Sequence, residues 1–282
     1  MTKPHLPLPV DSRPDPVVGE FEPLLAEPFA VAWARAAAPD PAASAMLRSR
    51  LMGRLAVSHA EACVMFTARP SRLASVELAT GVRVRTLYAA TNAQLRPGEP
   101  ALVRLVEMGP ATRWAGPAPD VHREWLVLQG SVRLGRQLLR LRDYHVAPAG
   151  EATPTLSTDE GALLFLRESA PLAGAPAGSL SVRDDDAGWP AYAPGIQRRV
   201  LWQHAGQAAM LYYAQPGASV PLHTHGHDEE CLMVQGELFL DDVLLQPGDY
   251  QLAPAGTGHR VTQTDTGVVI YAHGDLDLKF VT

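Results

Sequence analysis

The sequence contains little cysteine, no long apolar run and no excess of positive charge. Its two cysteines, Cys63 and Cys231, are far apart, which argues against a disulfide framework and favours a reducing compartment. No segment approaches the roughly 18 apolar residues of a membrane-spanning helix, and residues 1–20 lack the apolar core of a signal peptide. The net charge of −6 argues against a nucleic-acid binder, which normally carries a basic face. We therefore expect a soluble, cytoplasmic protein that contacts neither nucleic acid nor a membrane.

Hydrophobic residues make up 46% of the 282 positions, enough for a sizeable core and for two domains of ordinary size. Residues 1–20 are rich in proline and aspartate, which predicts a flexible tail. Residues 21–65 form an alanine-rich helical segment with two stretches of helical character, FEPLLAEPFAVAWARAAA and PAASAMLRSRLMGRLAVSHAEA. In the second stretch Leu47, Leu51 and Leu55 recur every four residues, which predicts an amphipathic helix.

The pattern changes near residue 66 to short β-branched and aliphatic runs separated by Gly, Pro and Asp, which predicts an all-β half. This half contains an internal repeat. The stretch EWLVLQGSVRLGRQLLRLRDYHVAPAG, from Glu124, aligns without a gap with ECLMVQGELFLDDVLLQPGDYQLAPAG, from Glu230, and 13 of the 27 pairs are identical. We interpret residues 66–170 and 180–282 as two copies of one β unit.

Histidine and glutamate are concentrated in the second copy, in the stretch PLHTHGHDEECLMVQG. Two blocks of defined spacing follow one another, with Gly217, His223, His225, Glu229 and Gly236 in the first and Gly248, Pro254, Gly256 and His259 in the second. These blocks resemble the two signature motifs of the cupin superfamily, although Gln263 stands where the second motif usually ends in Asn. The resemblance implies a mainly β fold of tandem double-stranded β-helix barrels (a bicupin) after a short helical segment. It also implies one divalent metal ion in the second barrel, held by His223, His225, Glu229 and His259.

The spacing of these residues agrees with a shared site. His223 and His225 are two residues apart, so on a strand both imidazoles face the same side, and Glu229 keeps this parity whereas Glu230 does not. His259 arrives from a second strand after a Pro-Gly turn. Three neutral imidazoles and one carboxylate suit zinc, iron, manganese, nickel or copper. We expect one ion per chain, with zinc first and iron or manganese as alternatives.

The first copy lacks the corresponding ligands. At the same offset it has Pro117, Pro119, Arg123 and Thr153, from which no metal site can be assembled. We expect this barrel to be a scaffold. The alternative is that Arg123 faces an emptied pocket that binds an organic anion.

Four further residues admit two interpretations each. Cys231 shares the parity of Glu229 and is either a redox-sensitive thiol near the metal or a small buried strand residue. His227 is either an alternative ligand or an exposed turn residue. The stretch HAEAC, with His59 and Cys63, resembles part of the zinc motif of anti-sigma domains, but Phe66 stands where the last cysteine of that motif belongs. A surface helix end is therefore the simpler interpretation of this stretch.

A narrower resemblance covers residues from about 66 to 275, where HTHGHDEECLMVQGEL and GDYQLAPAGTGH look like the ChrR-like cupins. In anti-sigma members of that group a helical domain before the cupin holds a sigma factor of the extracytoplasmic-function group, and PDPAASAMLRSRLMGRLA resembles its last helix. Other relatives are oxygenases acting on small ketones or phenols.

Three hypotheses follow: a ChrR-type regulatory or sensing protein, a metal-dependent cupin dioxygenase, and a structural or small-molecule-binding bicupin. We favour the first. Its expected partners are a sigma factor, a small-molecule ligand and a second copy of the chain.

Overall fold

The computed structural model describes residues 40–92, 94–116, 120–152 and 154–281, with the side chains of residues 58–59 and 61–63 left out. The predicted tail and the first predicted helical stretch lie outside these residues. The second stretch is confirmed as a helix, α1, which spans Pro41–Val64. Asp40 caps it, because its Oδ1 accepts the Ala42 N–H at 3.0 Å and Pro41 occupies the first helical position, where no N–H is needed.

The leucine stripe of α1 is exposed. Leu47, Leu51 and Leu55 are 59%, 55% and 63% exposed. Within the described ranges, neither helix has the length and hydropathy that crossing a membrane would require.

The rest of the described chain is mainly β, as predicted. Within the described residues, the first half (66–170) contains ten strands: β1 Phe66–Ala68, β2 Val76–Ala79, β3 Val82–Ala89, β4 Pro100–Met108, β5 Thr112–Trp114, β6 His122–Leu134, β7 Gln137–Arg140, β8 Tyr144–Ala147, β9 Leu156–Thr158 and β10 Ala162–Ser169. A 3-10 turn, Pro70–Arg72, lies between β1 and β2.

The second half (180–282) contains fourteen strands in its described part: β11 Leu180–Val182, β12 Ala191–Ala193, β13 Ile196–His204, β14 Gln207–Ala214, β15 Ser219–Val220, β16 His223–Thr224, β17 Glu229–Gly236, β18 Leu238–Leu240, β19 Val243–Leu245, β20 Tyr250–Ala253, β21 Gly258–His259, β22 Thr262–Gln263, β23 Val268–Asp275 and β24 Lys279–Phe280. A short helix, α2 (Asp184–Ala187), lies between β11 and β12. The strands of the two halves follow the repeat, because β6, β8 and β10 correspond to β17, β20 and β23 at the offset of 106 residues found in the sequence.

Each half contributes one large antiparallel sheet, and the two sheets have the same order. The first runs β11-β8-β6-β10-β4-β3-β2 and the second β1-β20-β17-β23-β14-β13-β12. One strand of each half pairs in the sheet of the other. Phe66 of β1 lies opposite Leu252 of β20, and Leu180 of β11 lies opposite Val146 of β8. The two barrels are therefore joined by reciprocal strand pairing as well as by packing.

The repeated glycines Gly130 and Gly236 show why the two copies fold alike. Both adopt positive φ, +71° and +78°, a conformation that glycine tolerates better than other residues. A Cβ at either position would collide with the carbonyl oxygen of Gly161 or Gly267, respectively, on the neighbouring strand. The close approach of strands at this point therefore requires glycine in both barrels.

A shared core lies between the two large sheets, and it uses equivalent residues from both copies. Leu126, Tyr144 and Phe165 of the first half meet Leu232, Tyr250 and Tyr271 of the second half in one buried cluster. The rings of Phe165 and Tyr271, a repeat-related pair, are 5.0 Å apart. Each barrel also has an apolar interior of its own. Together with the preceding helix, these features confirm the predicted fold class.

Candidate metal centre

Two short paired strands carry the predicted histidines of the second barrel. His223 of β16 lies directly opposite His259 of β21, and Thr224 lies opposite Gly258. A Cβ on Gly258 would collide with the His223 carbonyl oxygen, so glycine permits the close approach of these strands. The His225 N–H donates to the Thr257 carbonyl at 2.9 Å. The backbone therefore brings the histidine pair and the segment before His259 together.

The structure brings all four predicted site residues into one cluster. Potential ligand atoms of His223, His225 and Glu229 lie within 4.8 Å of one another. His225 Nε2 is 3.1 Å and His259 Nε2 is 3.6 Å from the same carboxylate oxygen, Oε2 of Glu229. The three imidazole rings have centroid separations of 5.2, 5.7 and 5.2 Å.

Hydrogen bonds on the outer side of the cluster orient two of the imidazoles. Nδ1 of His223 donates to the Pro221 carbonyl at 2.9 Å, and Nδ1 of His259 lies 3.3 Å from Oδ2 of Asp241. A proton on each Nδ1 leaves the lone pair of Nε2 directed at the centre of the cluster, which is how protein-bound metals are usually ligated. Asp241 is itself fixed, because its Oδ1 accepts the Arg260 N–H at 2.8 Å.

Sequence reasoning missed Asp241. It lies 18 residues before His259 in the turn between β18 and β19, and it adopts a positive φ of 53°. The Asp-Asp pair in this turn was the only local signal, and such pairs are common in turns without any role in a site.

The electrostatics of the cluster fit a divalent cation. Nε2 of His225 is buried and has no hydrogen-bond partner among the described residues, since its approach to Glu229 lacks hydrogen-bond geometry. Burial lowers the pKa of His225 to about 3 and raises the pKa of Glu229 to about 7. Burial also lowers the pKa of His223. The cluster is therefore a desolvated set of neutral nitrogens and one carboxyl oxygen, the donor types that zinc, iron and manganese accept.

A cavity of about 70 Å³ adjoins the cluster inside the second barrel. His223, Glu229 and His259 form its polar side, and Cys231 and Ile270 belong to its largely apolar wall. This volume holds a few water molecules or a ligand of few heavy atoms.

The corresponding space in the first barrel is filled by larger side chains. At the offset of the repeat, Trp125 replaces Cys231 and Trp114 replaces Val220. The two tryptophan rings pack edge to face with centroids 5.7 Å apart in the core of the first barrel. Small residues in the second barrel therefore create the cavity.

Glu230 and His227 lie in other interactions. Glu230 is buried on the opposite side of β17, where its carboxylate accepts hydrogen bonds from Arg167 at 2.7 Å and from Tyr250 at 2.8 Å. His227 is partly exposed and pairs with Asp275, with Nδ1 2.5 Å from Oδ1. Neither residue belongs to the group of close ligand atoms.

Cys231 is a buried free thiol in the cavity wall. Burial raises its pKa, so the thiol is protonated at neutral pH and is a poor nucleophile. These properties favour the simpler of the two interpretations, a small buried strand residue.

The remaining predicted positions lie in or near the first half. Arg123 is fully buried, donates from Nη2 to the Glu151 carbonyl, and has its pKa lowered by burial. Pro117, Pro119 and Thr153, and the side chains of His59 and Cys63, lie outside the described residues.

Comparisons with known proteins agree with this fold. Residues 177–277 match the family model described as the ChrR cupin-like domain. A protein from Nostoc punctiforme, proposed to be a dioxygenase, is similar in structure with a TM-score of 0.63 and 15% identity, over 77% of this chain and 85% of that one. The formate complex of Lactobacillus farciminis oxalate decarboxylase gives 0.57 and 14%, over 78% and 88%.

The Escherichia coli pirin YhhW, crystallised with nickel(II), gives a TM-score of 0.57 and 11% identity, over 74% of this chain and 98% of that one. At such identities the likeness concerns the fold alone. A search of curated protein sequences finds no match. The family match and the structural neighbours together support the cupin superfamily.

Proposed function

We propose that this protein is a metal-binding bicupin of ChrR type, in which the second barrel binds one divalent metal and a small molecule and the helical segment docks a regulatory partner. The observation that carries the proposal is the cluster of three buried histidines, His223, His225 and His259, around the partly buried Glu229, with a largely apolar cavity beside it. The match of residues 177–277 to the ChrR cupin-like domain supports the same type of protein.

His223, His225 and His259 would hold the metal through Nε2, and Glu229 would hold it through Oε2. A bound metal would supply a Lewis-acidic position for an oxygen donor of the ligand. The apolar side chains of the cavity exclude water from that ligand and limit its size. Asp241 keeps the proton of His259 on Nδ1, away from the centre.

Helix α1 supports the regulatory part of the proposal. Its leucine stripe is more than half exposed, and leaving such side chains in water forgoes about 1.5–3 kcal/mol each. The helix carries Arg48, Arg50 and Arg54 and no acidic residue before Glu61. An apolar stripe flanked by arginines fits a groove with acidic edges on a partner helix bundle. The ChrR resemblance gives the class of partner, a sigma factor of the extracytoplasmic-function group.

The second candidate function is that of a metal-dependent dioxygenase acting on a small ketone or phenol. The cavity beside the cluster is compatible with it, because a substrate of few heavy atoms could lie there next to the metal. A protein of the same fold has been proposed to be a dioxygenase, so this fold is compatible with such an activity.

Two measurements separate these functions. Replacing Leu51 and Leu55 by Asp should abolish co-purification of a sigma factor from the native host and leave the metal content unchanged. Met46→Asp is the matched control, because Met46 is 75% exposed and lies outside the stripe on the helix. Should no sigma factor accompany the wild-type chain, and should metal-dependent oxygen uptake occur with a small ketone or phenol, the enzyme function replaces the regulatory one.

A further inference from the structure

The residues on either side of Glu229 are both held by arginines from the first half of the chain. Asp228 accepts Nη2 of Arg96 on its two oxygens, at 3.0 and 2.9 Å. Glu230 accepts Nε of Arg167 at 2.7 Å. Because side chains alternate along a strand, Glu230 points away from the face on which Glu229 meets the histidines. Asp228 precedes β17, and its carboxylate is occupied by Arg96 and the Ala255 N–H. The outer face of this segment is therefore held while its inner face carries the candidate ligand.

Arg167 is buried, and each of its three guanidinium nitrogens donates a hydrogen bond. It is 1% exposed, and besides Glu230 it donates from Nη1 to Glu124 at 2.9 Å and from Nη2 to the Gly98 carbonyl at 2.6 Å. A buried arginine that has partners on every side has one stable geometry, since any shift would leave a charge uncompensated. Glu230 therefore has a fixed position relative to the first half.

Arg96 lies in the same loop as Gly98, and through Asp228 it is linked to two parts of the candidate metal site. Its own backbone N–H donates to Glu99 at 2.7 Å. The carboxylate it holds, that of Asp228, also accepts the Ala255 N–H at 2.8 Å. Ala255 lies in the turn that leads to His259. Arg96 thus acts on an aspartate that joins the glutamate strand to the turn before the last histidine.

The loop that contains Arg96 and Gly98 has an unusual backbone conformation at Gly98. Gly98 adopts a φ of +81°, and a Cβ there would collide with the side chain of Gln207. Its carbonyl accepts from Arg167 while Arg96, two residues earlier, reaches Asp228. This loop of the first half therefore contacts Asp228 directly, through Arg96, and helps to fix Arg167, which holds Glu230.

We propose that Arg96 and Arg167 are positioning residues for Glu229, and that the first barrel sets the metal affinity of the second through them. This inference rests on the proposed metal-binding function and assigns a role to the barrel whose sequence lacks the ligands. Groups that hydrogen-bond a metal ligand directly typically change metal affinity by about 10–100-fold, and these arginines act one residue removed from Glu229. Arg96 is largely exposed, and exposed ion pairs are weaker, so its effect falls at or just below the low end of that range.

The test is zinc affinity by chelator competition, together with the visible spectrum of the cobalt(II)-substituted protein. Arg96→Gln should weaken zinc binding by about 3–10-fold and shift the cobalt spectrum, with the urea midpoint unchanged. Arg96→Lys should restore part of the affinity, because one charged contact returns. Asp228→Asn should resemble Arg96→Gln, and the double variant should be no weaker than the worse single one.

Arg85→Gln is the matched control, since Arg85 forms an ion pair with Glu107 at 3.6 Å within the first barrel. An Arg96→Gln affinity equal to that of Arg85→Gln would overturn the inference and leave metal binding intact. Additive effects of Arg96→Gln and Asp228→Asn would also overturn it. If the wild-type protein binds no zinc, or if Glu229→Ala leaves its zinc affinity unchanged, the proposed function and this inference fail together.

Discussion

Trp125 and Cys231 occupy the same position in two copies of one barrel, 106 residues apart in the chain. Trp125 is 2% exposed and fills the first barrel, whereas Cys231 is 6% exposed and borders the cavity of about 70 Å³ in the second. Together with the exchange of Trp114 for Val220, this exchange accounts for the filled interior of the first barrel and the cavity of the second.

Replacing Cys231 by Leu should close the cavity without removing the metal. Leucine adds about two heavy atoms, which a space of about 70 Å³ accommodates. The spectrum of the cobalt(II)-substituted protein should respond to added acetylacetone in the wild type and not in this variant. Cys231→Ala, which keeps the cavity open, should respond like the wild type. A full response of Cys231→Leu would show that small molecules reach the metal by another route.

The opposite change, Trp125→Cys, should destabilise the protein without creating a metal site. Truncation of a buried tryptophan costs about 3–5 kcal/mol, and the first barrel has no histidine pair at the equivalent positions. Urea unfolding should show this loss while zinc stoichiometry stays constant. An unchanged urea midpoint would mean that Trp125 is not the main filler of that barrel.

The chain should bind one metal ion. The ligand positions of the motif occur in the second copy, and the first copy has Pro117, Pro119, Arg123 and Thr153 in their place. Metal analysis after gel filtration should give a ratio near one, falling towards zero in His223→Ala and His259→Ala. A ratio near two would contradict this, unless His59 and Cys63 supplied a second site.

Replacement of Glu229 by Ala should mainly affect zinc binding, whereas replacement of Glu230 by Ala should mainly affect stability. Glu229→Ala should lower zinc affinity by about ten-fold or more with little change in stability. Glu230→Ala should lower the free energy of unfolding by about 3–5 kcal/mol, because Arg167 then loses a buried partner. Its zinc affinity should fall less than that of Glu229→Ala. The reverse ranking in a chelator titration would reassign the acidic ligand.

Stability should fall as the pH drops from about 6.5 towards 4, with His145 as one cause. His145 is 5% exposed, its Nδ1 lies 2.8 Å from Ser181 Oγ, and burial lowers its pKa to about 4 against an opposing effect of Glu151. Above pH 6.5 the folded and unfolded chains both hold a neutral imidazole. Below it only the unfolded chain gains the proton, at a cost in stability of up to roughly 3 kcal/mol. In His145→Gln the urea midpoint should depend less on pH between about 6.5 and 4 than it does in the wild type. The same dependence in both proteins would refute the assignment.

The sequence predicted those features that depend on the spacing of residues along a short stretch of chain or between the two repeats. The helix with Leu47, Leu51 and Leu55, the strands after residue 66 and the equivalence of Glu124 and Glu230 all follow from spacing along the chain. The parity of His223, His225 and Glu229 also placed them on one face, and the structure brings them together.

The contacts that join distant parts of the chain had no such signal. Arg96 meets Asp228 across 132 residues, and Asp241 meets His259 across 18. An arginine or aspartate in a turn is common on any surface, so neither residue type nor spacing marked these two. Strand pairing between the halves was equally hidden, because the period of a strand tells which face is buried and not which strand lies beside it.

The pairing of β1 with β20 has a consequence for the order in which the protein forms during synthesis. Phe66 needs Leu252 as its neighbour, so the ribosome must add nearly two hundred residues before β1 can pair. At cellular synthesis rates of roughly 5–20 residues per second, this delay is on the order of ten seconds or more. Throughout this delay β1 has an unpaired backbone that can template association. Among the described strands of the first half, β1 therefore stays open to association after it has left the ribosome, until β20 has been made.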